Sequence, residues 1–186
     1  PSLTPGWINW YKRMNQVKRT DWDQYEIGQC ITLSLANIER NEPLIAAACY
    51  FWSDALNAFL FGDGPMAPSL ADVIMLTGLN ITSTNSPFII RSSSHKFEVR
   101  NIGGWSGYIT RYSKSSGSID HREHTAFLLM WLEKYIFCGK AVGPAVKFLK
   151  LAEYLAHGNA FPLGKHLLGS VYHLLHQASQ HLRRNE

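Results

Sequence analysis

The sequence predicts a mainly α-helical single domain with a small β-hairpin and room for one further short strand pair. Three observations carry this prediction. Apolar residues recur at helical spacing near both ends of the chain, an aromatic run precedes an Asp-Gly turn signal, and a helix start follows that turn closely. The length of 186 residues suits one core. We therefore assign residues 1–186 to one domain, with a loop-rich insertion at about 82–120.

Three helices are expected in the N-terminal part, at residues 6–19, 25–38 and 43–52. The first carries large side chains at helical spacing, a pattern more typical of a core-facing helix than of a binding groove. Its stripe comprises Trp7, Trp10, Tyr11, Met14 and Val17. The third helix is apolar around its whole surface, and such a helix is expected to be buried.

Helical spacing returns in the C-terminal part, at residues 121–137, 146–156 and 162–184. Pro162 suits the first turn of the last helix, because proline lacks an N–H that would be unpaired there. Between the two helical parts, residues 82–118 are rich in Ser, Thr, Asn and Gly. This composition predicts loops with one or two short strands.

A hairpin is predicted in the segment after the third helix, where residues 51–52 are expected to end that helix. Asp63-Gly64 suits a tight turn, because glycine tolerates the positive φ that such turns need. Apolar and aromatic residues at 58–61 supply one strand, and residues 65–68 supply a short return strand at best.

A sharply capped helix follows the hairpin. Ser69 stands three residues before Asp72, the spacing of a capping box. Val73 and Leu76, with Leu70, are expected to form its apolar face, and Gly78 suits its C-terminal end. These features are structural signals and not chemistry.

Two blocks of motifs together resemble a known family. The first block, residues 51–81, consists of the aromatic residues, the hairpin and the capped helix described above. In the second block, Trp131-Leu132 is followed by a Leu-rich stretch at 146–155 and then by Gly164. This order is similar to that of the plant mobile domain, found in maintenance-of-meristems-like proteins and in transposon proteins as an "aminotransferase-like" domain. The resemblance covers about residues 44–179. The matching scaffold positions are Trp52, Phe59, Gly64, Ser69, Leu70, Asp72, Val73, Leu76, Gly78, Leu79, Trp131 and Gly164.

The resemblance implies a non-catalytic protein-interaction module of a nuclear plant protein, derived from a domesticated transposon. It implies roles in transposon silencing, meristem maintenance and genome integrity. The implied partners are a plant phosphatase of the PP7-like type or other nuclear proteins. No enzyme and no cofactor are expected from the residues, because a Gly-rich phosphate loop, a nucleophile elbow and a pyridoxal-phosphate site are all missing from the sequence.

The alternative function is nucleic-acid binding by a module derived from a mobile element, through the basic segment 91–122. Its cations would meet phosphates and its rings would stack on bases of DNA or RNA. The candidates are Arg91, Arg100, Trp105, Tyr108, Arg111, Tyr112 and Lys114. The competing interpretation is that the aromatic residues anchor a long loop onto the helical core.

Four of the eight histidines are weak candidates for metal binding. His121 with His124, and His173 with His176, are each three residues apart, so each pair shares a helix face. No thiol or acidic residue completes either set unless Asp120 or Glu123 folded in. We therefore expect no metal, and we interpret the four as exposed or hydrogen-bonded helix residues.

The cysteines and the apolar runs indicate the environment of the chain. Cys30, Cys49 and Cys138 are odd in number and widely spaced, which favours an intracellular reducing compartment over a disulfide scaffold. Cys30 and Cys49 are expected to be buried thiols. The longest apolar runs, 43–52 and 126–132, are too short to cross a bilayer, so no membrane partner is expected.

Overall fold

The fold is mainly helical with one small antiparallel sheet, as predicted. A computed structural model describes residues 4–36, 39, 41–86, 97, 102–138 and 143–184. The helices of these residues are α1 (Trp7–Gln24), α2 (Gly28–Leu33), α3 (Glu42–Tyr50), α4 (Leu70–Thr77), α5 (Gly104–Tyr112), α6 (His121–Met130), α7 (Leu149–Ala156) and α8 (Leu163–Arg184). A π-helical segment, Trp131–Ile136, continues α6. The strands are β1 (Trp52–Ser53), β2 (Ala58–Phe61) and β3 (Gly64–Met66).

The centre of the core is an aromatic cluster between α1 and α6. The ring of Phe127 stacks on Trp7 at 4.6 Å and on Trp22 at 5.3 Å between centroids, and Trp10 meets it edge-on at 5.3 Å. All four side chains are fully buried. The predicted stripe of α1 is therefore confirmed as core, except at Val17, which is exposed.

A buried carboxylate joins α1 to α6 beside this cluster. Glu123 accepts hydrogen bonds from Arg13 Nε at 3.1 Å, from Trp10 Nε1 at 3.3 Å and from the backbone N–H of Lys114 at 3.1 Å. These partners compensate the desolvation of the charge, which a carboxylate in the core requires. Asp120 caps α6 by accepting from the Glu123 N–H at 2.7 Å.

Helices α2 and α3 differ from their predictions. Helix α2 is shorter than the predicted range 25–38, because the bonds from Ser34, Leu35 and Ala36 are of the i→i+3 type and no longer α-helical. The last two predicted residues, 37–38, lie outside the described residues. Helix α3 forms where it was predicted, but its expected burial is wrong: Cys49 alone is buried, while Leu44 and Ile45 are exposed.

The sheet also corrects two expectations. Trp52 lies in β1, paired with Phe59 of β2, and so does not end the preceding helix. In the hairpin Phe61 pairs with Gly64, so the two loop residues are Gly62 and Asp63, one position earlier than predicted. Gly64, at φ 123°, opens β3 as its first residue.

The capped helix α4 forms as predicted at both ends. Ser69 and Asp72 make a reciprocal capping box, and Gly78 ends the helix in the left-handed region at φ 66°. A side chain at Gly78 would also meet Gln29 Oε1 at 2.7 Å. The buried face of helix α4 is narrower than expected. Val73 is buried, but Leu76 is exposed, so the prediction for Leu76 is wrong.

A helix occupies part of the segment predicted as loops and short strands. Helix α5 covers residues 104–112, and Tyr108 and Tyr112 on it are buried against α6. The Tyr108 hydroxyl donates to the Ala126 carbonyl at 3.1 Å. Aromatic residues embedded in a Gly/Ser-rich sequence therefore anchor a helix to the core.

The three cysteines form no disulfide with one another in the structure. Cys30, Cys49 and Cys138 are free thiols, and the first two are buried. Burial raises the pKa of the Cys30 thiol to about 12. Among the described residues, none of the helices combines the length and apolarity needed to span a bilayer.

Candidate interaction surface

The outer layer of the molecule consists of α3, the three-stranded sheet and α4. Helix α8 supports this layer, because α3, β1 and α4 each pack against it. The Tyr172 hydroxyl donates to the Pro68 carbonyl at 2.7 Å, and Arg183 Nη2 donates to the Trp52 carbonyl at 3.1 Å. Both bonds reach backbone atoms, so they hold the layer by its main chain.

Asp54 provides a second attachment point between the outer layer and α8. Its Oδ1 accepts from Ser179 Oγ at 2.9 Å and lies 3.0 Å from His176 Nδ1. Its Oδ2 lies 3.6 Å from Arg183 Nη1. Asp54 therefore neutralises part of the positive charge at the C-terminal end of α8.

Each element of the outer layer turns only a small number of side chains inward. Cys49 of α3, Trp52 of β1, Ala58 of β2 and Val73 of α4 are buried. The Trp52 ring lies 5.0 Å from Phe59 and 5.5 Å from Tyr172, measured between centroids. Trp52 therefore contacts both the neighbouring strand and helix α8, and it attaches the layer to that helix.

The outward side of the layer is strongly apolar. Met75 is 80% exposed, Leu76 71% and Leu44 64%. The other exposed large apolar residues of this layer and its loops are Ile45, Tyr50, Phe51, Leu56, Leu60, Phe61, Met66 and Ile74. Phe51 and Phe61 lie 5.3 Å apart and so join the end of α3 to the hairpin. Contiguous apolar patches on a protein surface are often sites that bind another molecule.

All charged residues within residues 42–77 are acidic. They are Glu42, Asp54, Asp63 and Asp72, and the segment contains no Lys or Arg. Two of the four carboxylates are used internally, Asp54 toward α8 and Asp72 in the α4 cap. The hydrogen bonds from Ser69 lower the pKa of Asp72, which keeps that carboxylate ionised. Glu42 and Asp63, both exposed, are the two carboxylates of this segment without such a role.

The predicted nucleic-acid residues are not all available to a ligand. Tyr108 and Tyr112 are buried, which corrects their assignment as rings that stack on bases; Trp105 is half-buried, with its ring 5.8 Å from Tyr108. Arg91 and Arg100 lie outside the described residues.

Three cationic side chains line one cleft, of about 460 Å³, beside Tyr112. It is lined by Arg111, Lys114 and Arg122, together with Asp120 and Glu123. Lys114 Nζ is 2.5 Å from Asp120 Oδ2, and Glu123 is paired with Arg13. The two carboxylates offset part of the positive charge in the cleft.

The four candidate histidines have partners within the protein. The ring of His121 lies 4.1 Å from that of His157, and His173 Nε2 lies 3.0 Å from the Gln177 amide nitrogen. His124 is buried and accepts a hydrogen bond from Trp22 Nε1 at 3.0 Å. Among the described residues there is no cluster of three His, Cys, Asp or Glu that could hold a metal ion.

The sequence model of the plant mobile domain family matches residues 26–185. The chain belongs to the plant mobile domain family. The match starts earlier and ends later than the motifs at residues 44–179 indicate. No curated protein and no solved structure has a significant match to this chain.

The scaffold positions of the plant mobile domain have clear structural roles, with one exception. Trp52, Val73, Leu79 and Trp131 are buried. Gly164 donates its N–H to the Asn80 carbonyl at 3.0 Å, and a Cβ there would meet Ile81 Cγ2 at 2.6 Å. Leu70, Phe59 and Gly64 are partly buried, and Ser69, Asp72 and Gly78 cap α4. The exception is Leu76, whose side chain is neither buried nor part of a helix cap.

Sequence reasoning missed the outer surface as a candidate site. Leu44 and Ile45 were expected inside, because an apolar helix in a globular protein is ordinarily buried. No sequence signal would have identified it: helices α3 and α4 carry one acidic residue each and no Lys or Arg, which fits a buried helix equally well. An apolar segment without basic residues does not by itself distinguish core from interface.

Proposed function

We propose that this domain is a non-catalytic protein-interaction module and that the outer layer is its docking surface. By resemblance to its family, the module would act in a nuclear plant protein involved in transposon silencing, meristem maintenance and genome integrity. Its proposed partner is a plant phosphatase of the PP7-like type or another nuclear protein.

The observation that carries this proposal is the concentration of exposed apolar side chains on the outer layer. Eleven of the sixteen exposed large apolar residues among the described residues lie within residues 44–76. Scattered exposed apolar residues are normal on a protein surface, whereas a concentration on one layer is characteristic of binding sites. Leu76 supports the same view, because it is exposed although it matches the family scaffold.

The exposed side chains support a partner of complementary chemistry. A complementary surface would present apolar or aromatic anchors to Met75 and Leu76, since buried anchors supply most of the binding energy of an interface. It would also carry Lys or Arg, which would complement the exposed carboxylates Glu42 and Asp63 and accelerate association.

The test is co-purification of the full-length protein from plant nuclei, followed by mass spectrometry. Leu76→Glu places a charge on the docking surface, and Val17→Glu is its matched control on α1, at a side chain that is also exposed. We expect specific partners to be recovered with the unchanged protein and with Val17→Glu but not with Leu76→Glu. Equal recovery with all three proteins would contradict the proposal.

A second candidate function is nucleic-acid binding through the cleft of Arg111, Lys114 and Arg122, which the clustering of these cations favours. Binding to single-stranded DNA or RNA would then fall steeply between about 50 and about 200 mM salt. The charge reversals Arg111→Glu and Lys114→Glu are expected to abolish that binding. If both variants bind single-stranded DNA or RNA as tightly as the unchanged protein, this candidate function is excluded.

A further inference from the structure

A cleft between the start of α7 and the first half of α8 combines cationic and aromatic walls. Its volume is about 410 Å³, which lies in the range of sites that hold small organic ligands. Its walls include Phe137, Lys147, Phe148, Lys165, His166 and His173. The cleft is separate from the outer layer, so the inference drawn from it does not depend on the function proposed above.

The aromatic wall is rigid and apolar. Phe137 and Phe148 stack with their ring centroids 4.4 Å apart and their planes within 15°. The ammonium group of Lys147 lies 5.3 Å from the centroid of Phe148. A stacked pair of this kind offers an apolar surface to a ligand and holds a cation beside it.

The loop that carries Lys147 and Phe148 is held in place from inside the protein. Glu133, which is buried, accepts hydrogen bonds from the backbone N–H groups of Ala145 at 2.8 Å and Phe148 at 3.3 Å. Val146 adopts a left-handed φ of 53°. A β-branched residue is rarely found there, and strained backbone of this kind clusters at ligand sites.

The opposite wall, on α8, adds the positive charge of Lys165. Helix α8 contains no Asp or Glu over its whole length. Among the described residues, no carboxylate forms an ion pair with Lys147 or Lys165. A cleft lined by one sign of charge concentrates ligands of the opposite sign.

We propose that this cleft binds a phosphate monoester with an aromatic body, about the size of a mononucleotide. The two lysines would face the phosphate dianion, for which an ammonium group is a suitable point charge. The stacked phenylalanines would contact the aromatic body. His166, stacked on Phe161 at 4.9 Å, would supply an imidazole from the side of α8.

The first test is a titration of the chain, followed by NMR, with phenyl phosphate, inorganic phosphate and benzyl alcohol. We expect phenyl phosphate to bind at least about tenfold more tightly than either of the others, because it alone uses both walls. Equal affinity for inorganic phosphate would overturn the proposal, since it would show a response to charge alone.

Charge-matched variants separate the cleft from the general basicity of the chain. Lys147→Glu with Lys165→Glu is expected to weaken phenyl phosphate binding at least about tenfold. Lys12→Glu with Lys150→Glu changes the net charge equally, at exposed lysines that do not line the cleft, and is expected to leave binding unchanged. An equal loss in both double variants would overturn the proposal.

Two substitutions at Gly169 test whether the ligand occupies the volume of the cleft, without a change of charge. A Cβ at Gly169, which also lines the cleft, would meet no atom within 4 Å. Gly169→Phe should therefore fill the cleft and abolish binding while the chain stays folded, and Gly169→Ala should retain binding. Binding that survives Gly169→Phe would place the ligand elsewhere and so overturn the proposal.

The source of the phosphate monoester is decided by comparing adenosine monophosphate with phosphotyrosine. Tighter binding of the nucleotide would support a nucleotide site, and tighter binding of phosphotyrosine would support recognition of a phosphorylated side chain. Failure to bind either compound would overturn the proposal. Neither result depends on the outer layer, so the docking variant Leu76→Glu should bind phenyl phosphate normally.

Discussion

The aromatic core and the outer layer use apolar residues in opposite ways. Trp7 and Phe127 in the core are fully buried, whereas Met75 and Leu76 in the outer layer are largely exposed. Both pairs lie on helices with regular backbone hydrogen bonds. The difference therefore lies in what packs against each helix: α1 and α6 face each other, but the outward sides of α3 and α4 face no described element.

This difference shows where the stability of the domain resides. Burial of apolar area drives folding, so side chains between α1 and α6 contribute most, and side chains on the outer surface contribute little. An apolar surface that does not stabilise its own domain is available to stabilise a complex. Substitutions in each region should therefore differ strongly in their cost to stability.

The largest effect is expected from Phe127→Ala. The variant removes a ring that touches three tryptophans and leaves a cavity among rigid side chains. We expect the free energy of unfolding to fall by about 3–5 kcal/mol. Urea denaturation followed by tryptophan fluorescence measures it, and a loss below about 1 kcal/mol would show that the core is not where stability resides.

An effect of intermediate size is expected from pH, through His124 in the core. Burial lowers the pKa of His124 from 6.5 to about 4, and the charges of Lys18 and His121 add to this. Between these two values the unfolded chain binds a proton that the folded chain does not. The free energy of unfolding should therefore fall as the pH falls from about 6.5 to 4, by about 3 kcal/mol from this residue.

The control for the pH prediction is His124→Gln, whose amide oxygen can accept the Trp22 hydrogen bond but does not titrate. Urea denaturation at pH 7, 5 and 4 should show a smaller loss for His124→Gln than for the unchanged protein. Parallel losses in the two proteins would mean that His124 does not couple folding to pH.

The smallest effect is expected on the outer layer. Leu76→Ser should change the free energy of unfolding by no more than about 0.5 kcal/mol, because its side chain is already in water. The matched substitution Leu128→Ser in α6 should cost at least about 3 kcal/mol, since Leu128 is fully buried. A large loss for Leu76→Ser would mean that the outer layer is part of the core in solution.

Local signals predicted the parts of the fold that depend on neighbouring residues. The Ser69–Asp72 capping box, the Gly78 helix end and the stripe from Trp7 to Met14 appear as expected. Each involves residues within a few positions of one another, so spacing alone specifies it. The order of the motifs indicated the plant mobile domain family for the same reason, and the family match confirms that resemblance.

The rest required the tertiary structure, because it depends on residues far apart in the chain. Gly164 has to be small since α8 begins against residues 79–81, and His124 is neutral because Trp22 and α1 bury it. Neither contact leaves a local pattern. One wall of the cleft between α7 and α8 likewise depends on Glu133, which binds backbone N–H groups 12 and 15 residues along the chain.

Spacing, caps and turns predicted most of the helices and strands of this chain, although not helix α5, since backbone hydrogen bonds in those elements close over a few residues. They could not determine which apolar face is covered, because hydrophobic burial depends on whichever element arrives from elsewhere in the chain. In α1 a second helix covers the stripe. In α3 and α4 the same kind of residue remains exposed, and that exposure is the basis for proposing an interaction surface.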